Sequence, residues 1–174
     1  MSNLSIEQLQ QQIAQLQEEN AELSWNDDYG CYTRQGFKKL VWPSIAEKAK
    51  WIIFFDIDGM RELNDLYKHA GVNARIKKSL TVRTSDYKAG QRYSGDEFMV
   101  VVTNDPERGE TDPIRLTMRI KEALHENGLP ATFAIAPVIS DDLMENVEPA
   151  VQLVEDAKRN NERGIIMIVP GDPR

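Results

Sequence analysis

Residues 51–59 decide the fold, because they read Trp-Ile-Ile-Phe-Phe-Asp-Ile-Asp-Gly. An unbroken apolar run that is rich in Ile and Phe and ends in polar residues predicts a central β-strand over Trp51–Phe55. This strand delivers Asp56 and Asp58 at its C-terminal end, where the chain turns at Gly59. The sequence therefore places two carboxylates at one edge of a sheet.

A second acidic cluster follows within a predicted β-hairpin. Strands over Tyr87–Tyr93 and Phe98–Thr103 flank residues 94–97, which read Ser-Gly-Asp-Glu and predict a tight turn. Either cluster alone is typical of ordinary strand ends and turns. Together, on neighbouring strands, they favour a Mg²⁺ site, because this ion binds a few protein carboxylates along with substrate phosphates.

The remaining elements alternate around these strands. Helices are predicted over Gln35–Lys48 with a bend or break at Pro43, Glu62–Lys68, Val72–Arg83, Pro113–Glu126 with Asp112 as N-cap, and Glu148–Asn160. Further strands are predicted over Ala131–Ile139 and Ile165–Val169. The resulting order, βααββαβαβ, has a hairpin inside an otherwise alternating pattern. It predicts an α+β fold with a palm or ferredoxin-like mixed sheet flanked by helices.

The N-terminal 24 residues have a heptad pattern of their own. Its seam, in steps of three and four, consists of Ile6, Leu9, Ile13, Leu16, Asn20 and Leu23. β-Branched residues at a and Leu at d favour a parallel two-stranded coiled coil, and one Asn at a selects register and the dimeric state. The alternative is an amphipathic helix packed on its own domain. We therefore divide the chain into a dimerisation helix, residues 1–24, and a globular domain, residues 25–174.

The composition excludes several classes of function. Lys+Arg 21 against Asp+Glu 28 give a formal net charge of -7, so we expect no binding to a nucleic-acid polymer. The single cysteine, Cys31, excludes an intrachain disulfide. No apolar run approaches the length of a membrane span, and the N-terminus is too polar for a signal peptide. We expect a cytoplasmic protein without a membrane partner.

Three motifs, in order, resemble those of the GGDEF (diguanylate cyclase) family. Residues 92–98, Arg-Tyr-Ser-Gly-Asp-Glu-Phe, resemble its signature, with Ser94 in place of the first glycine. Residues 56–65 resemble its Asp-hydrophobic-Asp-x-Phe-Lys-x-x-Asn-Asp segment, and residues 26–37 resemble its N-terminal motif. The resemblance implies a cyclase that joins two nucleoside triphosphates across a homodimer, by family default two GTP into cyclic di-GMP and pyrophosphate.

The resemblance also implies a role for each residue of the site. Two divalent ions, Mg²⁺ or Mn²⁺, would be held by Asp56, the carbonyl of Ile57 and Glu97. The attacking 3′-hydroxyl would lose its proton with help from Asp96 or Glu97. Phosphates would be bound by the backbone of Asp58, Gly59, Met60 and Arg61, with the side chains of Arg61 and Lys158 neutralising charge.

One of the two residues that would read the base departs from the family pattern. The resemblance places Asn64 and Asn73 at the base, but the family has an Asp at the position of Asn73. A carboxylate accepts both guanine donors, whereas an amide offers one acceptor and pairs well with adenine. The expected substrate is therefore GTP or, alternatively, ATP. Arg83 and Asp86 match an inhibitory Arg-x-x-Asp motif but lie two residues too far from the signature, which favours a helix-end Arg and a turn Asp.

Two other functions stay open at this point. A catalytically degenerate module that binds nucleotide or a signalling partner is suggested by Asn73, Ser94 and Glu162, the last of which stands where the family has an Arg. A phosphatase of the haloacid dehalogenase type is suggested because residues 52–59 resemble its first motif. That family, however, has Thr or Val where this chain has Met60, and its second acidic motif follows a parallel strand.

Overall fold

The structure, a computed structural model, describes residues 5–83, 89–91 and 95–174. The strands are β1 Trp25–Asn26, β2 Cys31–Tyr32, β3 Ala49–Ile57, β4 Ala89–Gln91, β5 Glu97–Thr103, β6 Ala131–Pro137 and β7 Ile166–Ile168. The α-helices are α1 Ile6–Ser24, α2 Arg34–Gly36, α3 Trp42–Ile45, α4 Met60–Arg83, α5 Pro113–Glu126 and α6 Leu143–Arg159. A π-helical turn, Phe37–Val41, joins α2 to α3, and a 3-10 turn spans Pro106–Arg108.

In the described part of the chain, the strands form one mixed sheet of seven, in the order β1-β2-β4-β5-β3-β6-β7. Strand β3 lies between β5 and β6 and is antiparallel to both. Its side chains alternate between two cores, because successive residues of a strand point to opposite faces. Ile53 and Phe55 pack under α4 and α5, whereas Ile52 and Phe54 pack under α3 and α6. From β3 onward the order βααββαβαβ and the α+β fold class are confirmed.

The two breaks predicted in the helices are both present. Lys68 lies within α4 but has φ +62 and ψ 161, so α4 consists of two helical segments that meet at this residue. The π-helical turn precedes Pro43, and the N–H of Trp42 bonds to the carbonyl of Phe37, five residues back. Because Pro43 has no N–H to donate, the helix cannot continue with regular bonding through this point.

Several predicted boundaries were wrong. Helix α6 begins at Leu143 rather than Glu148, because Asp142 caps it by accepting from the N–H groups of Met144 at 2.7 Å and Glu145 at 3.3 Å. Pro149 lies inside this helix. The strand predicted to reach Ile139 ends at Pro137.

Residues 25–32 contain a short hairpin, β1–β2, which was not predicted and which adds to the edge of the sheet beside β4. Strand β4 falls within the predicted strand Tyr87–Tyr93, and the residues on both sides of it lie outside the described ones.

Helix α1 leaves its apolar seam in solvent. The five apolar seam residues are between 45% and 76% exposed: Ile6, Leu9, Ile13, Leu16 and Leu23. The alternative in which this face packs on its own domain is therefore wrong. Pairing with a second copy stays a prediction. None of the described helices is long and apolar enough to cross a membrane.

Candidate functional site

The register of the sheet brings the two acidic clusters together. Asp56 at the end of β3 lies opposite Glu97 at the start of β5. The N–H of Ile57 donates to the carbonyl of Asp96 at 2.9 Å, which ties the end of β3 to the turn before β5. The carboxylates predicted from separate motifs therefore lie at the same edge of the sheet.

Lys158 joins this edge from helix α6. Its ammonium group donates to Asp56 and lies 3.3 Å from Oδ1 of Asp58. All three side chains are largely buried, so solvent screens this ion pair far less than a surface one. Lys158 was predicted to bind phosphate, and the structure places its charge on two carboxylates at the point where phosphates were expected.

Asp58 is held by further contacts inside the domain. It is 5% exposed, and the hydroxyl of Thr132 on β6 lies 3.0 and 2.9 Å from its two carboxylate oxygens. The same hydroxyl accepts from the N–H of Gly164 at 3.0 Å, and the N–H of Asp58 donates to the carbonyl of Pro130 at 2.7 Å. Thr132 is a site residue that sequence reasoning missed. A threonine in an apolar strand gives no signal that its hydroxyl meets a carboxylate 74 positions away.

The electrostatics of the edge centre on Asp56. Burial raises the pKa of its carboxyl from 3.8 to about 6, and the negative charges of Asp96 and Glu97 also raise it. The hydrogen bond and charge of Lys158 act in the opposite direction. Removing a carboxylate from water disfavours its charged form, and cations nearby favour it again. A cation close to Asp56, such as the Lys158 ammonium, therefore favours the charged form of this carboxyl.

The start of α4 follows directly after these carboxylates. Gly59 has φ +68, a conformation that suits glycine, and its carbonyl accepts from the N–H of Leu63 at 3.0 Å as α4 begins. The first N–H groups of a helix have no partner within the helix, so they are available to an anion. Met60 and Arg61 lie in this first turn, and Arg61 is exposed.

A cavity of about 180 Å³ lies next to the acidic edge. Its lining consists of Tyr29, Met60, Asn64, His69, Asn73, Gly95 and Asp96. It brings together both residues predicted to read the base and the predicted catalytic Asp96. Tyr29 was missed, because it belongs to a turn far away in sequence. His69 also lies in the wall.

Tyr29 and Gly95 make close contact in this wall. A Cβ built on Gly95 would overlap the Tyr29 hydroxyl, so only glycine permits this approach. Burial raises the pKa of Tyr29, and the negative charges of Asp28 and Asp96 raise it further. The tyrosine therefore stays a neutral hydrogen-bonding group against the turn that carries Asp96.

The predicted metal ligands are of a suitable type, but they are not arranged as a ready site. Among the described residues, no group of three or more His, Cys, Asp or Glu side chains is placed to hold a metal ion. The Lys158 ammonium already lies against Asp56 and Asp58. Carboxylate and carbonyl oxygens are nevertheless the donors that Mg²⁺ prefers. The assignment of Asp56, Ile57 and Glu97 to metal stays a prediction.

The predicted inhibitory site cannot be placed. Arg83 ends α4, but its side chain and the whole of Asp86 lie outside the described residues, as does Ser94 of the signature.

No protein-family model matches the chain. The diguanylate cyclase DosC of Escherichia coli is 32% identical over 85 residues, which are 46% of this chain and 17% of DosC. The match thus spans about one sixth of the length of that relative.

Solved structures match over much more of the chain. The diguanylate cyclase SiaD of Pseudomonas aeruginosa, in complex with its activator SiaC, superposes with a TM-score of 0.67 at 16% identity, over 94% of this chain and 68% of SiaD. The coiled coil and GGDEF domain of DgcB from Caulobacter crescentus, in complex with c-di-GMP, gives 0.65 at 14% identity, over 92% of this chain and 93% of that one. The chain therefore has the fold of GGDEF diguanylate cyclase domains.

Proposed function

We propose that this chain is a metal-dependent nucleotidyltransferase of the diguanylate cyclase type, which condenses two nucleoside triphosphates into a cyclic dinucleotide and pyrophosphate. One observation carries the proposal. The acidic ends of β3 and β5 meet beside a cavity lined by Asn64, Asn73 and Asp96. The shared fold and the partial likeness to DosC support the same reaction class.

The base would bind in the cavity, against the amides of Asn64 and Asn73. An amide presents one acceptor and one donor edge, so it can pair with either purine and satisfies guanine less completely than a carboxylate does. GTP is the family default, and ATP is the alternative that Asn73 favours. Tyr29 would close one side of the bound base with a neutral ring and hydroxyl.

The phosphates would lie over the start of α4. The N–H groups of its first turn and the exposed guanidinium of Arg61 would face their charge. Lys158 is near enough to contribute its ammonium group once a phosphate competes with Asp56 for it.

Asp56, the carbonyl of Ile57 and Glu97 would hold Mg²⁺ or Mn²⁺, which when bound would neutralise the triphosphate and make its α-phosphorus more electrophilic. Asp96 or Glu97 would accept the proton of the attacking 3′-hydroxyl, because both carboxylates lie at the turn that faces the cavity. Each domain would bind one nucleotide, so the cyclic product requires two domains face to face. A homodimer through α1 would supply this arrangement.

A second candidate is a non-catalytic module that binds nucleotide for signalling. The position of Lys158 favours it, because this ammonium pairs with Asp58 and with Asp56, one of the predicted metal ligands. The phosphatase alternative has less support. Its second acidic motif should follow a parallel strand, whereas β5 is antiparallel to β3.

Incubation with nucleotides separates the two candidates. The purified chain is incubated with each nucleoside triphosphate and Mg²⁺ or Mn²⁺, and the products are resolved by mass. A cyclic dinucleotide with pyrophosphate, lost in Glu97→Gln, is the expected result. Nucleotide binding without turnover would favour the signalling module, and no binding of any nucleotide would contradict both.

A further inference from the structure

A groove of about 840 Å³ lies where α1 meets the globular domain. Its wall includes Asn20, Leu23 and Ser24 of α1 and three cationic side chains, those of Arg34, Lys38 and Lys39. A cationic groove is unexpected on a chain whose formal net charge is -7. Both lysines are exposed, so their charges are accessible to another molecule.

Close backbone contacts fix the groove beside the end of α1. The N–H of Thr33 donates to the carbonyl of Ser24 at 2.9 Å, and the Thr33 hydroxyl donates to the carbonyl of Leu23 at 3.1 Å. Gly36 passes so near Ser24 that a Cβ at this position would overlap the Ser24 backbone. The lysines follow within three positions of Gly36, so they are held next to the last turn of α1.

The groove opens onto the predicted dimer seam. Asn20 and Leu23 are the last a and d residues of the heptads, and both line it. In this register Glu19 takes a g position and Ser24 an e position. In a parallel coiled coil, g residues of one helix interact with e residues of the other. Glu19 of a second copy would therefore come next to Ser24 and the groove.

Glu19 has no cation to meet on the partner helix itself. The other e and g positions of α1 are Gln10, Gln12, Gln17 and Ser24, none of which carries a charge. Glu19 is exposed, and within its own chain it accepts from the amide of Gln15 at 3.0 Å. In a parallel dimer, the basic groove beside Ser24 would offer Glu19 the cations that the partner helix lacks.

We propose that Glu19 of each copy pairs with the lysines 38 and 39 of the other copy, so that a second copy of this chain is the partner that the basic groove accepts. This inference rests on the homodimer of the proposed function and adds a contact between one helix and the other globular domain. Because the dimer is symmetric, the pair occurs twice. It would hold each domain in a set orientation about the coiled coil.

Charge reversal with a matched control tests the pair. Glu19→Lys and Glu18→Lys change the net charge equally, but Glu18 takes an f position on the outer face of the coiled coil. Sedimentation of the full chain should give a dimer dissociation constant about 3- to 10-fold higher for Glu19→Lys than for Glu18→Lys, as expected for two solvent-exposed pairs. Combining Glu19→Lys with Lys38→Glu and Lys39→Glu should restore the wild-type value to within about twofold.

The outcomes separate this pair from the dimer itself. Equal dissociation constants for Glu19→Lys and Glu18→Lys, or no recovery in the charge-swapped variant, would overturn the pair and leave the coiled coil standing. A wild type that stays monomeric at all concentrations would overturn the pair and the dimer together. The first result does not bear on nucleotide turnover, which the incubation with triphosphates tests. The second would also remove the paired domains that the proposed cyclic product requires, and nucleotide binding by each domain would still be tested by that incubation.

Discussion

The acidic sheet edge and helix α1 differ in where their side chains find partners. At the edge, Asp58 is 5% exposed, and its carboxylate finds Thr132 and Lys158 within the same chain. Along α1, apolar side chains such as Ile13 and Leu16 are more than half exposed. An isolated helix of 19 residues gains little stability in water. The chain therefore pairs the polar groups of its sheet edge internally but leaves the apolar face of α1 exposed.

The largest expected effect is on dimerisation through the apolar seam of α1. Ile13→Lys should raise the dimer dissociation constant at least about 100-fold, because a charge would have to be buried at an a position. The melting temperature of the globular domain should not change, since Ile13 is exposed in the single chain. Sedimentation and thermal unfolding measure both quantities. Ala14→Lys, with the same charge on the outer face, is the control, and equal dimer affinity in the two variants would contradict the seam.

The next largest effect is on the free energy of unfolding, through the polar contacts of the acidic sheet edge. Thr132→Val keeps the shape of the side chain but removes the hydroxyl between Asp58 and Gly164, so we expect a loss of about 2 to 3 kcal/mol in the free energy of unfolding. Urea denaturation measures it. Thr117→Val is the matched control, because that buried hydroxyl donates to the Pro113 carbonyl within its own helix. If the free energy of unfolding falls equally in the two variants, the contact with Asp58 stabilises the fold no more than an ordinary hydrogen bond within a helix.

Stability measured as a function of pH tests the same sheet edge through Asp56. The folded pKa of Asp56, about 6, lies above the ordinary value of 3.8, so protonation of this group stabilises the fold below pH 3.8 and the benefit disappears as pH rises through 6. Asp56→Asn is neutral at every pH. It should match the wild type near pH 4 and be more stable by about 2 kcal/mol at pH 8.

Urea denaturation across this range gives the comparison, with Asp65→Asn as an exposed control. A stability difference for Asp56→Asn that is constant with pH would show that folding does not shift the pKa of this carboxyl.

The smallest effect concerns the cavity, where the sheet edge is left open to a ligand. Asn73→Asp should raise the ratio of GTP to ATP affinity about tenfold, because a carboxylate accepts both guanine donors and repels adenine N1. Dissociation constants for both nucleotides, by calorimetry, measure the ratio. Asn104→Asp, an exposed change of the same kind, should leave it unaltered. An unchanged ratio in Asn73→Asp would remove this residue from the base site.

Local patterns made most of the fold and half of the site predictable. The apolar run of β3 and the hairpin around residues 94–97 identified two acidic strand ends, and their order along the chain implied that these ends are neighbours. Helix α6 was predicted to begin at Glu148, five residues after its actual start, because Asp142 was not identified as the cap. Strands of two residues, such as β1, have no periodicity from which to predict them.

The missed site residues share one property. Thr132 and Tyr29 act through contacts with residues more than 60 positions away, and nothing in their own neighbourhood distinguishes them. The place of Lys158 along the chain was predicted, but its pairing with two carboxylates was not. Such pairings depend on register and helix packing, which follow from the folded chain as a whole.

The hydroxyl of Thr33 fixes the C-terminal end of α1 to the globular domain. It donates to the Leu23 carbonyl and accepts from the N–H of Gly36, so the end of one helix and the start of the next share one side chain. Nineteen residues at about 1.5 Å each give an arm of roughly 28 Å. A tilt of about 10° at this base swings the far end of such an arm by about 5 Å. Conversely, a displacement of that size at the tip would exert a torque on the β1–β2 hairpin and, through Tyr29, on the turn that carries Asp96.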